Sequence, residues 1–149
     1  MELKDLTLEK LTMTLTEEIH VKASIEATFA AVLEQLGPLN ELQPGAPLPM
    51  KFEAWPGGRW FRDLGDDNGH CWGHVQAIKR PTLLEIYGPL MMSYPATSNI
   101  QYRLSAVEGG TLIKFHHKAF GLLQEDHKEG FQKIWGHKNP LLKMQAEAA

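Results

Sequence analysis

The chain has 149 residues, of which 43% are hydrophobic and 22% charged, so it is long enough to form one soluble domain with its own core. Its net charge of −3, without a Lys/Arg cluster, argues against partners such as nucleic acid or an anionic membrane surface. No stretch reaches the roughly 18 apolar residues of a membrane span. The single cysteine, Cys71, excludes an internal disulfide and is typical of the cytoplasm, where we expect the protein to act. We expect a single domain over residues 14–149 after a polar lead-in at residues 1–13.

The first predicted elements are a strand and a helix. Residues 14–23 alternate between apolar and polar side chains, which is typical of a half-buried strand. Ser24 is a good N-cap, the apolar residues that follow have helical spacing, and Gly37-Pro38 ends the helix. Pro38 also suits a first helical turn, so we predict a second short helix over 38–43.

Strands predominate from residue 50 to about residue 120, and a helix follows. Alternation and turn residues predict strands over 50–55, 59–64, 70–79, 82–87, 97–106 and 111–119. From Leu122 onward the apolar spacing is helical. A run of strands followed by one long helix predicts an α+β fold in which the helix packs on one face of a curved antiparallel sheet.

The Pro56-Gly57-Gly58 stretch admits two interpretations, a phosphate-binding loop or a hairpin turn. A phosphate loop needs its glycines to open a helix, whose free N–H groups meet the anion. Here the β-prone run Arg59-Trp60-Phe61-Arg62 follows, without a helix cap. We therefore interpret the glycines as a hairpin turn.

Five motifs then make the chain similar to a known family. In chain order they are PGGRW at 56–60, Gly73-His74-Val75, Arg80-Pro81 leading to Leu84, GGTLIKFHHKAFG at 109–121, and Gly130-Phe131. Together they resemble the homologues of the heat-shock-protein-90 ATPase activator, within the SRPBCC superfamily that includes START and pollen-allergen relatives. The resemblance covers about residues 14–145. It implies a helix-grip fold: a seven-stranded antiparallel sheet wrapped around the C-terminal helix, with a cavity between them. We expect no cofactor.

Strand alternation predicts which side chains face this cavity. Counting through the turns places these residues inward: Cys71, Gly73, Ala77, Leu84, Ile100, Leu104 and Ile113. The same count also places inward the strand residues that we predict to bind the ligand. The predicted ligand-binding residues, including two from the last helix, are Trp55, Phe61, Val75, Ile86, Tyr102, Phe115, His117, Phe131 and Trp135. The same count leaves Trp60 and Trp72 on the outer face. Either a bulge turns them inward, or they form an exposed patch through which the protein forms a homodimer.

The titratable residues give little sign of a reactive centre. His70 and His74 lie about 13 Å apart along one strand, too far to chelate one ion, so we expect no metal site. Cys71 is interpreted as a small buried thiol. Met91 and Met92 fit either simple packing or a soft lining at the cavity mouth.

His117 is the polar residue that the pattern singles out. Alternation points it inward, near Tyr102 on the neighbouring strand and under the last helix. Three roles are open: a hydrogen bond to Tyr102 or to a buried water, orientation of a ligand's polar end, or general acid/base catalysis with Tyr102 as its partner.

The leading functional hypothesis is non-catalytic binding of a small apolar or amphipathic ligand in the cavity. The alternatives are a cyclase- or hydratase-like enzyme that uses the pair His117 and Tyr102, and a co-chaperone or interaction module of the ATPase-activator type. One fold hosts all three classes.

The last helix carries a conflict at Asn139-Pro140. Proline inside a helix removes a hydrogen bond and clashes with the preceding turn, at a cost of ~3 kcal/mol, whereas Asn-Pro is a good helix start. We therefore predict a bend or break between residues 136 and 140, which would let Gly130-Phe131 and Trp135 move as a lid.

Overall fold

The computed structural model describes residues 3–149. A 3-10 turn at Leu3–Asp5 comes first. The elements that follow are α1 (Leu8–Leu11), β1 (Thr12–Val21), α2 (Ile25–Leu36), β2 (Lys51–Phe52), β3 (Arg59–Gly65), β4 (Asn68–Lys79), β5 (Leu83–Gly88), β6 (Ala96–Val107), β7 (Gly110–Gly121) and α3 (Glu125–Ala148). The seven strands form one antiparallel sheet in the order β1-β7-β6-β5-β4-β3-β2. The expected α+β helix-grip fold, with a seven-stranded sheet and a long C-terminal helix, is confirmed.

The helix after β1 forms as its sequence predicts. The Ser24 hydroxyl accepts a hydrogen bond from the Ala27 amide at 3.1 Å, which caps α2, and Gly37 ends it by donating to Leu33 O and Glu34 O. The segment that follows makes a turn at 37–39 in place of the second short helix expected over 38–43.

The Pro56-Gly57-Gly58 stretch is a hairpin turn, as predicted. It connects β2 to β3, and Lys51 of β2 pairs with Phe61 of β3. Gly57 has φ +80°, and a Cβ at Gly58 would lie 1.8 Å from Glu53 O. The turn therefore needs glycine at both positions, one for its backbone angle and one for close backbone approach.

A β-bulge overturns the predicted outward position of two tryptophans. Trp60 pairs with Gly73, but the next residue, Phe61, pairs with Cys71, so Trp72 is an extra residue in β4. Because the bulge shifts the side-chain alternation, Trp60 and Trp72 are both buried and meet edge to face, with ring centroids 5.1 Å apart. The exposed aromatic patch proposed for a homodimer is therefore absent, and the bulge alternative is correct.

Three residues that were predicted to point inward do not do so. Trp55 is 57% exposed in the turn before β3, and Cys71 is an exposed free thiol. Phe61 is half-buried under the Arg59 guanidinium, which lies 4.4 Å from its ring centroid. At Phe61 and Cys71 the count of alternating side chains fails, because it assumes that each residue of a strand lies opposite one residue of the neighbouring strand.

A second bulge follows in β4. Val75 pairs with Ile86 as predicted, but Ala77 pairs with Glu85 instead of Leu84, and Gln76 is the extra residue. The predicted turn at Arg80-Pro81 is present and contains a cis peptide bond.

The predicted break in the last helix is wrong. α3 is continuous from Glu125 to Ala148 with Pro140 inside it. Pro140 and Gly136, whose carbonyl loses the proline's hydrogen bond, are both exposed, so water can satisfy that carbonyl. Trp135 and Leu142, on either side of the proline, are both buried. Packing on both sides offsets the cost of the proline, so the helix is not interrupted where the hinge of a lid was expected.

Candidate functional site

The inner face of the sheet and α3 meet in a wall of aromatic side chains. The Phe115 ring lies 4.7 Å from Trp135 and 5.1 Å from Tyr102, measured between centroids. Phe131, one turn before Trp135, packs edge-on against His117 at 4.7 Å. Val75 and Ile86 are fully buried beside them on neighbouring strands. These residues occupy the sheet–helix interior that the sequence predicted.

His117 lies at the centre of this wall, and both of its ring nitrogens are bonded to protein groups. The Trp135 indole N–H donates to Nδ1 at 2.9 Å, and Nε2 lies 2.8 Å from the Ser98 hydroxyl. An acceptor at Nδ1 requires the proton on Nε2, which donates to Ser98. Since both nitrogens are bonded to other groups, the hydrogen bond to Tyr102, one of the roles left open for His117, is not formed.

The surroundings keep His117 and Tyr102 uncharged. Burial, with a smaller contribution from neighbouring His116, lowers the pKa of His117 to about 3. Burial also raises the pKa of the Tyr102 hydroxyl above its usual value, and the Glu17 carboxylate acts in the same direction. Neither group changes its charge near pH 7, which does not favour the acid/base roles considered for them.

Trp60 and Trp72 extend the aromatic wall towards the end of α2. The Trp60 indole N–H donates to Leu36 O at 2.8 Å, which ties β3 to the last turn of α2. Between these tryptophans and α3 lies a small, partly open space of only about 10 Å³, lined by Leu42, Trp60, Trp72, Leu90, Met91, Phe131, Ile134, Trp135 and Lys138. This is roughly the space that one water requires, so the interior is nearly filled.

An apolar mouth adjoins this space. The loop over residues 89–95, between β5 and β6, lies against the first turns of α3 and leaves a pocket of about 180 Å³, lined by Met91, Met92, Asp126, His127, Gly130, Phe131 and Ile134. Met92 is buried and Met91 is 36% exposed. Because unbranched methionine changes rotamer easily, Met91 is well placed to yield to an entering molecule. The methionines therefore line the mouth, one of the two roles that the sequence left open.

A tyrosine–histidine pair closes the outer side of the mouth. The Tyr94 hydroxyl lies 2.7 Å from His127 Nδ1, and the two rings stack with centroids 5.4 Å apart. The same hydroxyl accepts a 3.5 Å bond from the Gln124 amide at the start of α3. These contacts hold the loop against the helix, and they form a hydrogen-bonded His/Tyr pair at a different place from His117 and Tyr102.

One of the residues that line the space beside the tryptophans is a buried lysine. Lys138 is 3% exposed, and its Nζ donates to Asn40 Oδ1 at 2.5 Å and to Gln35 O at 3.1 Å. Burial lowers its pKa to about 7.

The structure thus gathers part of the predicted binding set and adds to it. Val75, Ile86, Tyr102, Phe115, His117, Phe131 and Trp135 lie together, whereas Trp55 and Phe61 lie outside. Sequence reasoning missed Ser98 and Lys138, since nothing local marks them for burial. The Gly73 beside Trp72 was the one local hint of the bulge, because glycine in a strand interior often marks one.

The described residues contain neither a metal-binding cluster nor a membrane-spanning helix. Within residues 3–149 no group of three His, Cys, Asp or Glu side chains is arranged to hold a metal ion. No helix of that part of the chain has the length and apolar character needed to cross a membrane.

No protein-family model matches the chain, and no curated protein matches it. Several solved structures, in contrast, are similar to this chain. Ara h 8.0201 superposes with a TM-score of 0.65 at 16% identity, over 93% of this chain and 99% of that one. An AHSA1-like protein from Aeromonas hydrophila gives 0.60 at 17% identity, over 89% and 93%. The chain has the helix-grip fold.

The resemblance drawn from the motifs is confirmed at the level of the fold, including the likeness to an ATPase-activator homologue. A third helix-grip structure, the di-domain ARO/CYC protein StfQ from the steffimycin biosynthetic pathway, has a TM-score of 0.63 at 11% identity, over 95% of this chain and 52% of that one. Identities this low carry the fold and not the activity.

Proposed function

We propose that this protein binds a small, mostly apolar ligand, without converting it, between α3 and the 89–95 loop. The observation that carries the proposal is the continuity of the apolar mouth with the aromatic wall: Met91, Phe131 and Ile134 line both spaces. A concave apolar site with a few fixed polar groups is the usual form of a small-molecule site. The ligand enters as Met91 yields, and it packs against Trp72 and Trp135. We place this binding in the cytoplasm, in keeping with the exposed free thiol of Cys71.

The state of His117 supports binding over catalysis. Both ring nitrogens are bonded by Ser98 and Trp135, so a reacting group has no free nitrogen to meet. In this proposal His117 fixes the position of the Trp135 ring, and Val75, Ile86, Tyr102 and Phe115 form the packed floor beneath it.

Gly130 offers a direct test, because it lines the mouth and a Cβ added there meets no atom within 4 Å. Gly130→Leu should fill a large part of the mouth while raising helix propensity by about 0.8 kcal/mol. Gly136→Leu is the matched control: it lies on the same helix, also has open space, and does not line the mouth.

The assay is fluorescence titration with N-phenyl-1-naphthylamine, an uncharged aromatic probe that brightens in apolar surroundings. We expect wild type and Gly136→Leu to bind it alike and Gly130→Leu to bind at least tenfold more weakly, with neither melt lowered. Equal binding by all three proteins would place the probe elsewhere and overturn the proposed site. Native mass spectrometry of the purified protein would then identify a ligand carried from the cell.

The enzyme alternative rests on a different pair of residues from those the sequence indicated. Tyr94 and His127 are hydrogen-bonded beside the mouth, and StfQ, which shares the fold, is an ARO/CYC protein. If these residues catalyse a cyclisation or hydration, the molecule carried by His127→Gln should differ in mass or structure from the molecule carried by wild type. Identical molecules would favour binding alone.

A further inference from the structure

Lys138 is buried without an anionic partner. Lysine is almost never fully buried unless it is paired, yet the two acceptors of its Nζ, Gln35 O and Asn40 Oδ1, are uncharged. No carboxylate of the described residues forms an ion pair with it. The Glu41 carboxylate acts on it only at longer range and is itself bonded to His137 Nε2 at 2.9 Å. Both hydrogen bonds of Lys138 Nζ therefore go to uncharged acceptors, and no carboxylate within residues 3–149 lies close enough to neutralise its charge.

Lys138 lines the small space beside the tryptophans, which a ligand would have to widen. Leu42 lines the same space. Leu42 belongs to the irregular segment 40–48, which is closed by two hydrogen bonds between Asn40 and Leu48. Displacing this segment would withdraw Leu42 from the tryptophans and Asn40 from Nζ together. A ligand that deepens the space through this segment therefore arrives beside the amine.

We propose that Lys138 is the anion-recognition group of this site, and that the ligand combines an apolar aromatic body with an oxyanion such as a carboxylate or sulfonate. The proposal rests on the proposed function and specifies its ligand class. The oxyanion takes the place of Asn40 Oδ1 at Nζ, while the body packs against Trp60 and Trp72. Gln35 O, in the last turn of α2, keeps the amine in position because the C-terminal end of a helix favours a positive charge.

Such a group also gives selectivity that the aromatic wall lacks. Apolar pockets discriminate weakly between ligands of similar apolar shape. A buried hydrogen-bond donor, in contrast, disfavours a ligand that leaves the donor unpaired. Burial holds the pKa of the free amine at about 7, and a bound anion would raise it again, so the complex contains the charged form.

The test compares two probes that share their rings. 8-Anilinonaphthalene-1-sulfonate carries an oxyanion, and N-phenyl-1-naphthylamine does not. We expect Lys138→Met to weaken binding of the sulfonate by about 10- to 100-fold, as for loss of a hydrogen bond to a charged group. Binding of the uncharged probe should change less than threefold. Lys133→Met, which removes an exposed lysine from the same helix, should change neither.

Lys138→Gln keeps an N–H donor without the charge and serves if the methionine variant does not fold. It should show the same selective loss of sulfonate binding. Equal losses for both probes, or no loss for either, would reduce Lys138 to a structural cap of α2 and overturn this inference while leaving apolar binding intact. Failure of both probes to bind wild type would instead refute the proposed function, and the inference with it.

Discussion

Replacing His117 by phenylalanine tests whether the buried hydrogen bonds at the centre of the aromatic wall stabilise the fold. Phenylalanine has a similar shape, so packing changes little, but the Trp135 indole N–H loses its acceptor and the Ser98 hydroxyl loses its donor. Each buried group left unpaired costs about 1–3 kcal/mol. Allowing for partial relaxation, we expect a loss of about 2–4 kcal/mol at pH 7, a large part of a typical 5–15 kcal/mol.

The pH dependence gives a second, independent magnitude. The pKa of His117 is about 3 in the folded protein against 6.5 as the unperturbed value. Between these two pH values the unfolded chain binds a proton at His117 that the folded chain does not bind. The contribution of neutral His117 to the free energy of unfolding is therefore complete above pH 6.5 and is lost as the pH falls towards 3. The loss relative to pH 7 is about 2 kcal/mol by pH 5. The His117→Phe variant has no titrating group at this position and does not show this loss. The difference in free energy of unfolding between wild type and variant should therefore narrow by about 2 kcal/mol from pH 7 to pH 5.

Urea unfolding of both proteins at pH 7 and pH 5 measures these differences. His116→Phe is the matched control, because the His116 side chain lies half-buried on the other face of the sheet and bonds to Asn99. We expect this change to cost less than about 1 kcal/mol. Combining Ser98→Ala with His117→Phe should cost less than the sum of the single changes. A loss below 1 kcal/mol for His117→Phe, or a gap that does not change with pH, would refute the hydrogen-bond reasoning.

Two further predictions concern corrections that the structure makes. Trp72→Glu should lose at least about 3–5 kcal/mol of burial energy and leave the chain largely unfolded by circular dichroism; a folded monomer with an unchanged melt would contradict the inward position of Trp72. Pro140→Ala should raise stability by about 1–3 kcal/mol in urea, since the proline is exposed within a continuous helix and its replacement restores an N–H donor; a lower midpoint would show that α3 depends on the proline's geometry.

Features that depend on neighbouring residues in the chain could be predicted from the sequence. Ser24 caps α2 because its hydroxyl reaches an amide three residues away. The Pro56-Gly57-Gly58 turn follows from backbone angles that glycine alone adopts easily. The alternation of β7 continues without interruption, so Phe115 and His117 point inward as predicted. Each of these outcomes is decided within a few residues.

Features that depend on distant partners were decided by the tertiary structure. The Trp72 bulge shifts the register of β3 and β4, since burying two indoles against α2 and α3 stabilises the fold more than a regular ladder would. α3 continues through Pro140 because Trp135 and Leu142 are both held in the core. Lys138 is buried because the end of α2 and the segment after it, about a hundred residues earlier in the chain, supply its acceptors. Sequence patterns show which side chains prefer burial, but only the assembled sheet and helices determine which buried polar group finds a partner.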